Sequence, residues 1–147
     1  MIQRKQTIFL FLAFVLTLVC MCSRIGTLYS DGIEVARVFN LWLSDGQGQH
    51  SFAVWPLMAL LLPSSLLSLV TIFLYQKRML QARLCLLGMS LLVAWYIGFA
   101  VLPSQGGGVL YLEWASVLPA VSIILLFMAR KAIISDEKLV RSMDRIR

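Results

Sequence analysis

Along the chain, apolar positions gather in four long blocks separated by short polar stretches, with neither helix nor strand periodicity across a block. The first begins at Thr7 and is taken as residues 7–25, since at 1.5 Å per residue a shorter helix falls below a hydrocarbon core of roughly 30 Å. Residues 52–75 form the second, uncharged, with Pro56 in its first turn and Pro63 in its interior. A third, residues 84–102, ends at Pro103, after which Ser104, Gln105 and Gly106-Gly107-Gly108 predict a turn. The fourth, residues 109–128, holds Glu113 near its start and Pro119 near its middle, and Arg130-Lys131 stops it. Blocks of this length and polarity predict an all-α integral membrane protein, a single domain of four transmembrane helices in two helical hairpins.

Two segments fall outside the blocks. In the longer, residues 26–51, Asp31-Gly32 sits between β-forming stretches and predicts a hairpin turn; the alternative is an interfacial helix burying Val35, Val38, Phe39 and Trp42. In the tail, residues 130–147, Ser135 has the character of an N-cap, and Asp136 and Glu137 suit the first turn of a helix. Leu139, Val140, Met143 and Ile146 would then share one face of a short basic amphipathic helix.

Charge orients the blocks. Of the 13 Lys and Arg, only Arg24 and Arg37 fall on the side of residues 26–51; the others lie at the N-terminus, in the link of Lys77, Arg78 and Arg83, or in the tail. Cytoplasmic connections carry the excess of Lys and Arg, so both termini are expected in the cytoplasm. Trp55, Tyr111 and Trp114 fall near the outer ends of their blocks and Tyr75 near an inner end, as interfacial aromatics should. The net charge of +6 thus describes orientation and attraction to a membrane surface, and no specific nucleic-acid partner is expected. With 60% hydrophobic and 14% charged residues, the composition leaves no room for a separate catalytic domain.

Within the third block Ser90, Ala94 and Gly98 make a stripe of small residues suited to close helix approach, and Ser64 and Ser68 make another in the second. Ser64 and Ser68 are also placed to reach carbonyls freed by Pro63. The pentads Ala59-x-x-Leu62-Pro63 and Ala115-x-x-Leu118-Pro119, each followed by an apolar run and a basic pair, raise a duplicated hairpin as one explanation.

Candidate chemistry is sparse. Apart from Arg24 at the outer end of the first block, Glu113 is the only charged residue within a block, a candidate intramembrane carboxylate whose place near the outer interface beside Trp114 favours a structural role. His50 has no second ligand at metal spacing, and Cys20, Cys22 and Cys85 are expected as buried, unreactive thiols. The Arg4-Lys5 start followed by an apolar run resembles a signal sequence, but Val19 before Cys20 does not suit lipoprotein processing and an uncleaved anchor is expected. No catalytic, metal or cofactor site is expected, and the chain is not expected to be an enzyme.

Three segments carry a resemblance: Met1-Ile2-Gln3-Arg4-Lys5-Gln6-Thr7; Ile72-Phe73-Leu74-Tyr75-Gln76-Lys77-Arg78 with Gln81-Ala82-Arg83-Leu84-Cys85; and Asp136-Glu137-Lys138-Leu139-Val140-Arg141-Ser142-Met143-Asp144-Arg145-Ile146-Arg147. Together they resemble a bacterial family of four-span membrane proteins classed as a domain of unknown function. That resemblance implies the same layout and a bacterial inner-membrane location, and brings no mechanism with it. All three segments fall on the expected cytoplasmic side. The candidate surface for a protein partner or for lipid is therefore Arg4, Lys77, Arg78, Arg83, Asp136, Glu137, Lys138, Arg141, Asp144 and Arg145. A non-enzymatic subunit or scaffold docking a partner there is the expected function, with a small oligomeric transporter or channel using Glu113 as the alternative; the bilayer, a protein partner or further copies of the chain are the partners implied.

Overall fold

The computed structural model describes residues 3–45, 47–75, 77–106 and 109–144, so Gly107, Gly108 and Arg145 lie outside the described residues. In chain order it contains helix α1 (Gln3–Cys22), strands β1 (Arg24–Ser30), β2 (Ile33–Phe39), β3 (Leu43–Asp45) and β4 (His50–Ser51), helices α2 (Trp55–Phe73) and α3 (Arg78–Gly106), strand β5 (Val109–Leu112) and helix α4 (Leu118–Asp144). Phe52–Val54 and Trp114–Val117 are 3-10 turns that lead from β4 into α2 and from β5 into α4. The stretches Phe52–Phe73, Arg78–Leu102 and Trp114–Met143 are long and apolar enough to cross a membrane; Gln6–Cys22 is a shorter apolar helix.

The chain is mostly helical but not all-α, because one antiparallel sheet of order β4-β3-β2-β1-β5 stands at one end of the four helices. Asp31 and Gly32 have φ of 53° and 78°, the two positive values a type I′ turn requires, and they join β1 to β2 with Ser30 paired to Ile33. The hairpin expectation thus holds and the interfacial helix does not. What the pattern missed is the rest of the sheet. Val109–Leu112, expected to open the fourth span, pairs with β1 as an edge strand, Gly26 opposite Leu112 and Tyr29 opposite Val109. A Cβ on Gly26 would lie 2.9 Å from the Tyr111 carbonyl oxygen, so only glycine admits β5 this closely. Tyr29 and Tyr111 meet edge to face at 4.9 Å.

Three further boundaries differ from expectation. Helix α1 stops at Cys22, and Arg24 opens β1 instead of ending a span. Pro103 does not end α3, which runs to Gly106. Ser135 caps nothing: α4 continues from Leu118 to Asp144, so the expected separate tail helix is the end of a span-length helix of 27 residues, about 40 Å long.

Side chains in the bundle are distributed against the habit of water-soluble proteins. Thr17, Ser64, Ser68, Thr71, Gln81 and Ser122 are buried, whereas Phe11, Leu66, Val93, Ile97, Ile124 and Phe127 face outward. The buried hydroxyls find acceptors close by. Thr17 Oγ1 donates to the Ala13 carbonyl at 3.0 Å and Ser68 Oγ to that of Ser64, while Ser64 Oγ crosses to the Gly88 carbonyl of α3 at 3.2 Å. Neither Ser64 nor Ser68 reaches the Ala59 carbonyl four residues before Pro63. Of the expected small-residue stripe, Ser90 is exposed and Ala94 half-buried, while Gly98 lies close against α2, a Cβ there meeting Leu57 Cδ2 at 3.2 Å; the rest of the packing of α3 runs through Cys85, Gly88, Leu92, Trp95 and Phe99. The two proline pentads occupy different places, since Pro63 lies well inside α2 and Pro119 is the second residue of α4. Pro56 is the residue that matches Pro119, second in a helix that follows a strand and a 3-10 turn.

Sheet and bundle are joined through a buried amide. Asn40, fully buried after β2, donates from Nδ2 to the Cys20 carbonyl at 2.7 Å and accepts at Oδ1 from Trp95 Nε1 at 2.9 Å. Trp95 stacks on Phe99 with ring centroids 5.1 Å apart. Replacing Asn40 by alanine leaves a buried indole N–H without its acceptor. Asn40→Ala is expected to lower stability by about 1–3 kcal/mol, read as a shift of the unfolding midpoint in mild detergent.

Candidate functional site

Helices α1 and α3 lead into the sheet, and α2 and α4 leave it, so the start of α1, the α2–α3 link and the end of α4 share the opposite end of the bundle. This alternation brings most of the sequence-derived surface together. Arg78 opens α3, and its Nη1 points to the Asp136 carbonyl of α4 at 3.5 Å. Gln6 of α1 donates from Nε2 to the Asp136 carboxylate, tying α1 to α4. Arg141 Nε and Glu137 Oε1 form an ion pair at 3.0 Å, one helical turn apart. Lys77, Arg83 and Lys138 are exposed. Arg4 lies in the first turn of α1 and Asp144 ends α4; their side chains, and all of Arg145, lie outside the described residues.

A groove of about 400 Å³ separates the start of α3 from the end of α4, lined by Lys77, Arg78, Met79, Leu80, Glu137 and Val140. Beyond it, Lys138, Leu139, Val140, Arg141, Ser142 and Met143 are all exposed, so the last turns of α4 project past the packed bundle. Leu139, Val140 and Met143 are 53%, 43% and 75% exposed, apolar side chains carried among charges on a projecting helix.

Sequence reasoning missed the amides that hold this end together. Gln81 is buried and donates from Nε2 to the Thr71 carbonyl at 3.0 Å, which closes the α2–α3 turn just as Gln6 closes α1 on α4. Their one signal is position, a glutamine within two turns of each basic cluster.

Glu113 is not within a helix. It follows β5, where its backbone N–H donates to the Ile25 carbonyl at 3.1 Å and so extends the ladder to β1. Its Oε1 lies 3.0 Å from Arg24 Nη2, a cross-strand ion pair at the root of the sheet with both side chains partly exposed. The candidate intramembrane carboxylate is thus a tether between the strands that follow α1 and α3. Tyr96 makes a comparable tie: its hydroxyl donates to the Ser116 carbonyl at 2.6 Å and accepts from the Ala120 N–H at 2.9 Å, holding α3 to the start of α4.

Elsewhere on the sheet, Arg37 pairs with Glu34 at 2.8 Å, and that hydrogen bond to the carboxylate raises the guanidinium pKa above its ordinary value. His50 is exposed and packs edge to face on Trp42. Cys20 and Cys85 are buried free thiols, whereas Cys22, expected buried, is exposed. Among the described residues no group of three His, Cys, Asp or Glu side chains gathers as metal ligands.

A family model described as a domain of unknown function (DUF4293) matches residues 2–146. No curated protein matches the chain.

If Arg24 and Glu113 act as a surface tether, a double-mutant cycle with Arg24→Ala and Glu113→Ala gives a coupling of about 0.2–1 kcal/mol in the unfolding free energy. A coupling near zero would show that the pair contributes nothing to holding the strands.

Proposed function

The chain belongs to the DUF4293 family, and from that premise we propose that it is a non-enzymatic, multi-pass subunit or scaffold of a bacterial inner membrane. On this reading both termini and the α2–α3 link face the cytoplasm, the sheet lies on the outer side, and a protein partner docks on the projecting end of α4. Support for the membrane comes from the bundle itself. Large apolar side chains face outward around all four helices while hydroxyls and amides are turned inward, a distribution that suits a hydrocarbon solvent. The 19 residues of α2 give about 28 Å, close to the hydrocarbon thickness, with Trp55 exposed at one end and Tyr75 just past the other.

One observation carries the docking role. Helix α4, about 40 Å long, outlasts a core of roughly 30 Å, and its excess length presents Leu139, Val140 and Met143 on the side where water is expected. Apolar side chains clustered at a free helix end mark an interaction surface. Lys77 and Arg78 across the groove from Glu137 and Val140 add polar contacts that fix the orientation of a partner. The alternative, a transporter or channel built on Glu113, rests on a carboxylate that the structure ties to Arg24 outside the helices.

Crosslinking in native membranes followed by purification of the tagged chain in mild detergent is expected to yield a companion in fixed stoichiometry. The triple substitution Leu139→Ser, Val140→Ser and Met143→Ser should abolish its recovery without lowering the amount of chain in the membrane. Recovery of the chain alone under all conditions, or a companion indifferent to these substitutions, counts against the docking role.

A further inference from the structure

Helix α4 carries a second surface, on a different face from the groove against α3. Phe127, Arg130, Lys131, Ile134, Ser135 and Lys138 recur at helical spacing and line a shallow depression of about 450 Å³. Its position along the helix is informative. From Leu118 at the sheet end to Arg130 is about 18 Å of helix, and the 3-10 turn from Trp114 adds about 8 Å, which brings Arg130 to the far edge of a hydrocarbon layer. Phe127 then lies within the acyl region and Lys138 beyond it.

Charge on this stripe is unbalanced. None of the ion pairs among the described residues includes Arg130, Lys131 or Lys138. Arg130 Nε is buried without a hydrogen-bond partner. The nearby carboxylates are engaged elsewhere, Asp136 by Gln6 and Glu137 by Arg141. A protein surface in water has no use for Phe127, 54% exposed, beside such a cluster, and a purely acyl environment has no use for the cations.

We infer that this stripe is a binding site for an anionic phospholipid of the leaflet at the charged end of the bundle. The phosphate is held by Arg130, Lys131 and Lys138 with the Ser135 hydroxyl available as a further donor, and an acyl chain runs along Phe127 and Ile134. The inference rests on the membrane orientation proposed above but not on the protein-docking role. Guanidinium and ammonium groups at headgroup depth supply the attraction to the anionic headgroup, and the apolar pair beneath them selects a lipid over a soluble anion.

The test uses the full chain in nanodiscs of mixed phosphatidylglycerol and phosphatidylcholine, with native mass spectrometry after detergent release counting the lipids that remain bound. The wild type is expected to retain phosphatidylglycerol preferentially. A variant with Arg130→Gln, Lys131→Gln and Lys138→Gln should lose that preference at least about fivefold. A control with Lys77→Gln and Arg83→Gln, which removes charge from the same end, should keep it. Circular dichroism checks that all three fold alike. Equal retention of both lipids by the wild type, an equal loss in the control, or displacement of the lipid by millimolar inorganic phosphate would overturn the site. So would a triple variant that keeps its lipid and instead loses the crosslinked companion, since the stripe would then serve a protein. Failure to enter nanodiscs removes the membrane reading and the lipid site together; entry without selective retention removes the lipid site alone.

Discussion

The carbonyl of Cys20 is where sheet and bundle meet. A helix that stops leaves its last carbonyls without partners, and at the end of α1 there is little water to take them. Cys20 receives the Ser23 N–H at 3.2 Å and the Asn40 amide at 2.7 Å, and the other end of that amide receives Trp95. One side chain thereby fixes the bend after β2 against both α1 and α3. With β2 fixed, β1 and β5 follow through their register, Gly26 lets β5 close in, and Glu113 comes opposite Arg24. Tyr96, next to Trp95, then bonds the first turn of α4. The sheet acts as a clamp on all four helices.

In the membrane setting proposed above, packing between the helices follows a different economy from that of a core in water. Where the surrounding medium is itself apolar, burying leucine against leucine brings little, and association depends on close contact and on hydrogen bonds. The Ser64 bond to the Gly88 carbonyl joins α2 to α3, and Gln81 and Gln6 do the same for the charged end. At Gly88 the α3 backbone lies against both α2 and α4: a Cβ there would meet Leu126 Cδ1 at 3.5 Å and Ser64 Oγ at 3.9 Å, ordinary contact distances. These interior bonds restrain the helices in register, while the outward faces between the two ends are mostly apolar, with Ser90 bonded back to the Leu87 carbonyl of its own helix.

Much of this was legible in the sequence because it is written in local terms. Block length and polarity gave the helices, and Asp31-Gly32 gave the hairpin turn, since positive φ at two successive positions suits few other pairs. Nonlocal pairing was not legible. Val109–Leu112 is as apolar as the helix it precedes, so hydropathy merges it with the fourth block, and only the arrival of β1 beside it makes it a strand. The capping signal at Ser135 was real but outcompeted: Ile133 packs in the core and Asp136 meets Gln6, both of which require the helix to continue through Ser135. Asn40 carried no signal, being a single amide between Phe39 and Leu41 in a segment whose turns were still undecided. Of the candidate surface, counting Lys and Arg placed Lys77, Arg78 and Arg141 on one side and the resemblance brought in Asp136 and Glu137, whereas the pairing of Glu113 with Arg24 could come only from the sheet.

The two ends of the molecule differ in what they leave undone. At the sheet end Arg24 has Glu113 and Arg37 has Glu34, while Tyr29 meets Tyr111 and Trp42 meets His50 edge to face, so both arginines there have counter-ions within the sheet. At the other end the acids are consumed within the bundle, Asp136 by Gln6 and Glu137 by Arg141, while Lys77, Arg83, Arg130, Lys131 and Lys138 have no ion-pair partner among the described residues and Leu139 and Met143 have no cover. Apolar side chains are exposed at both ends, Ile33, Val109 and Leu112 on the sheet among them, so it is the cations that distinguish the two: paired at the sheet end and without counter-ions at the other. In the proposed lipid site headgroups answer Arg130, Lys131 and Lys138, whereas Leu139, Val140 and Met143 begin only where that stripe ends. The docking role proposed for the projecting tip of α4 and the lipid site proposed on its stripe thus use successive stretches of one helix.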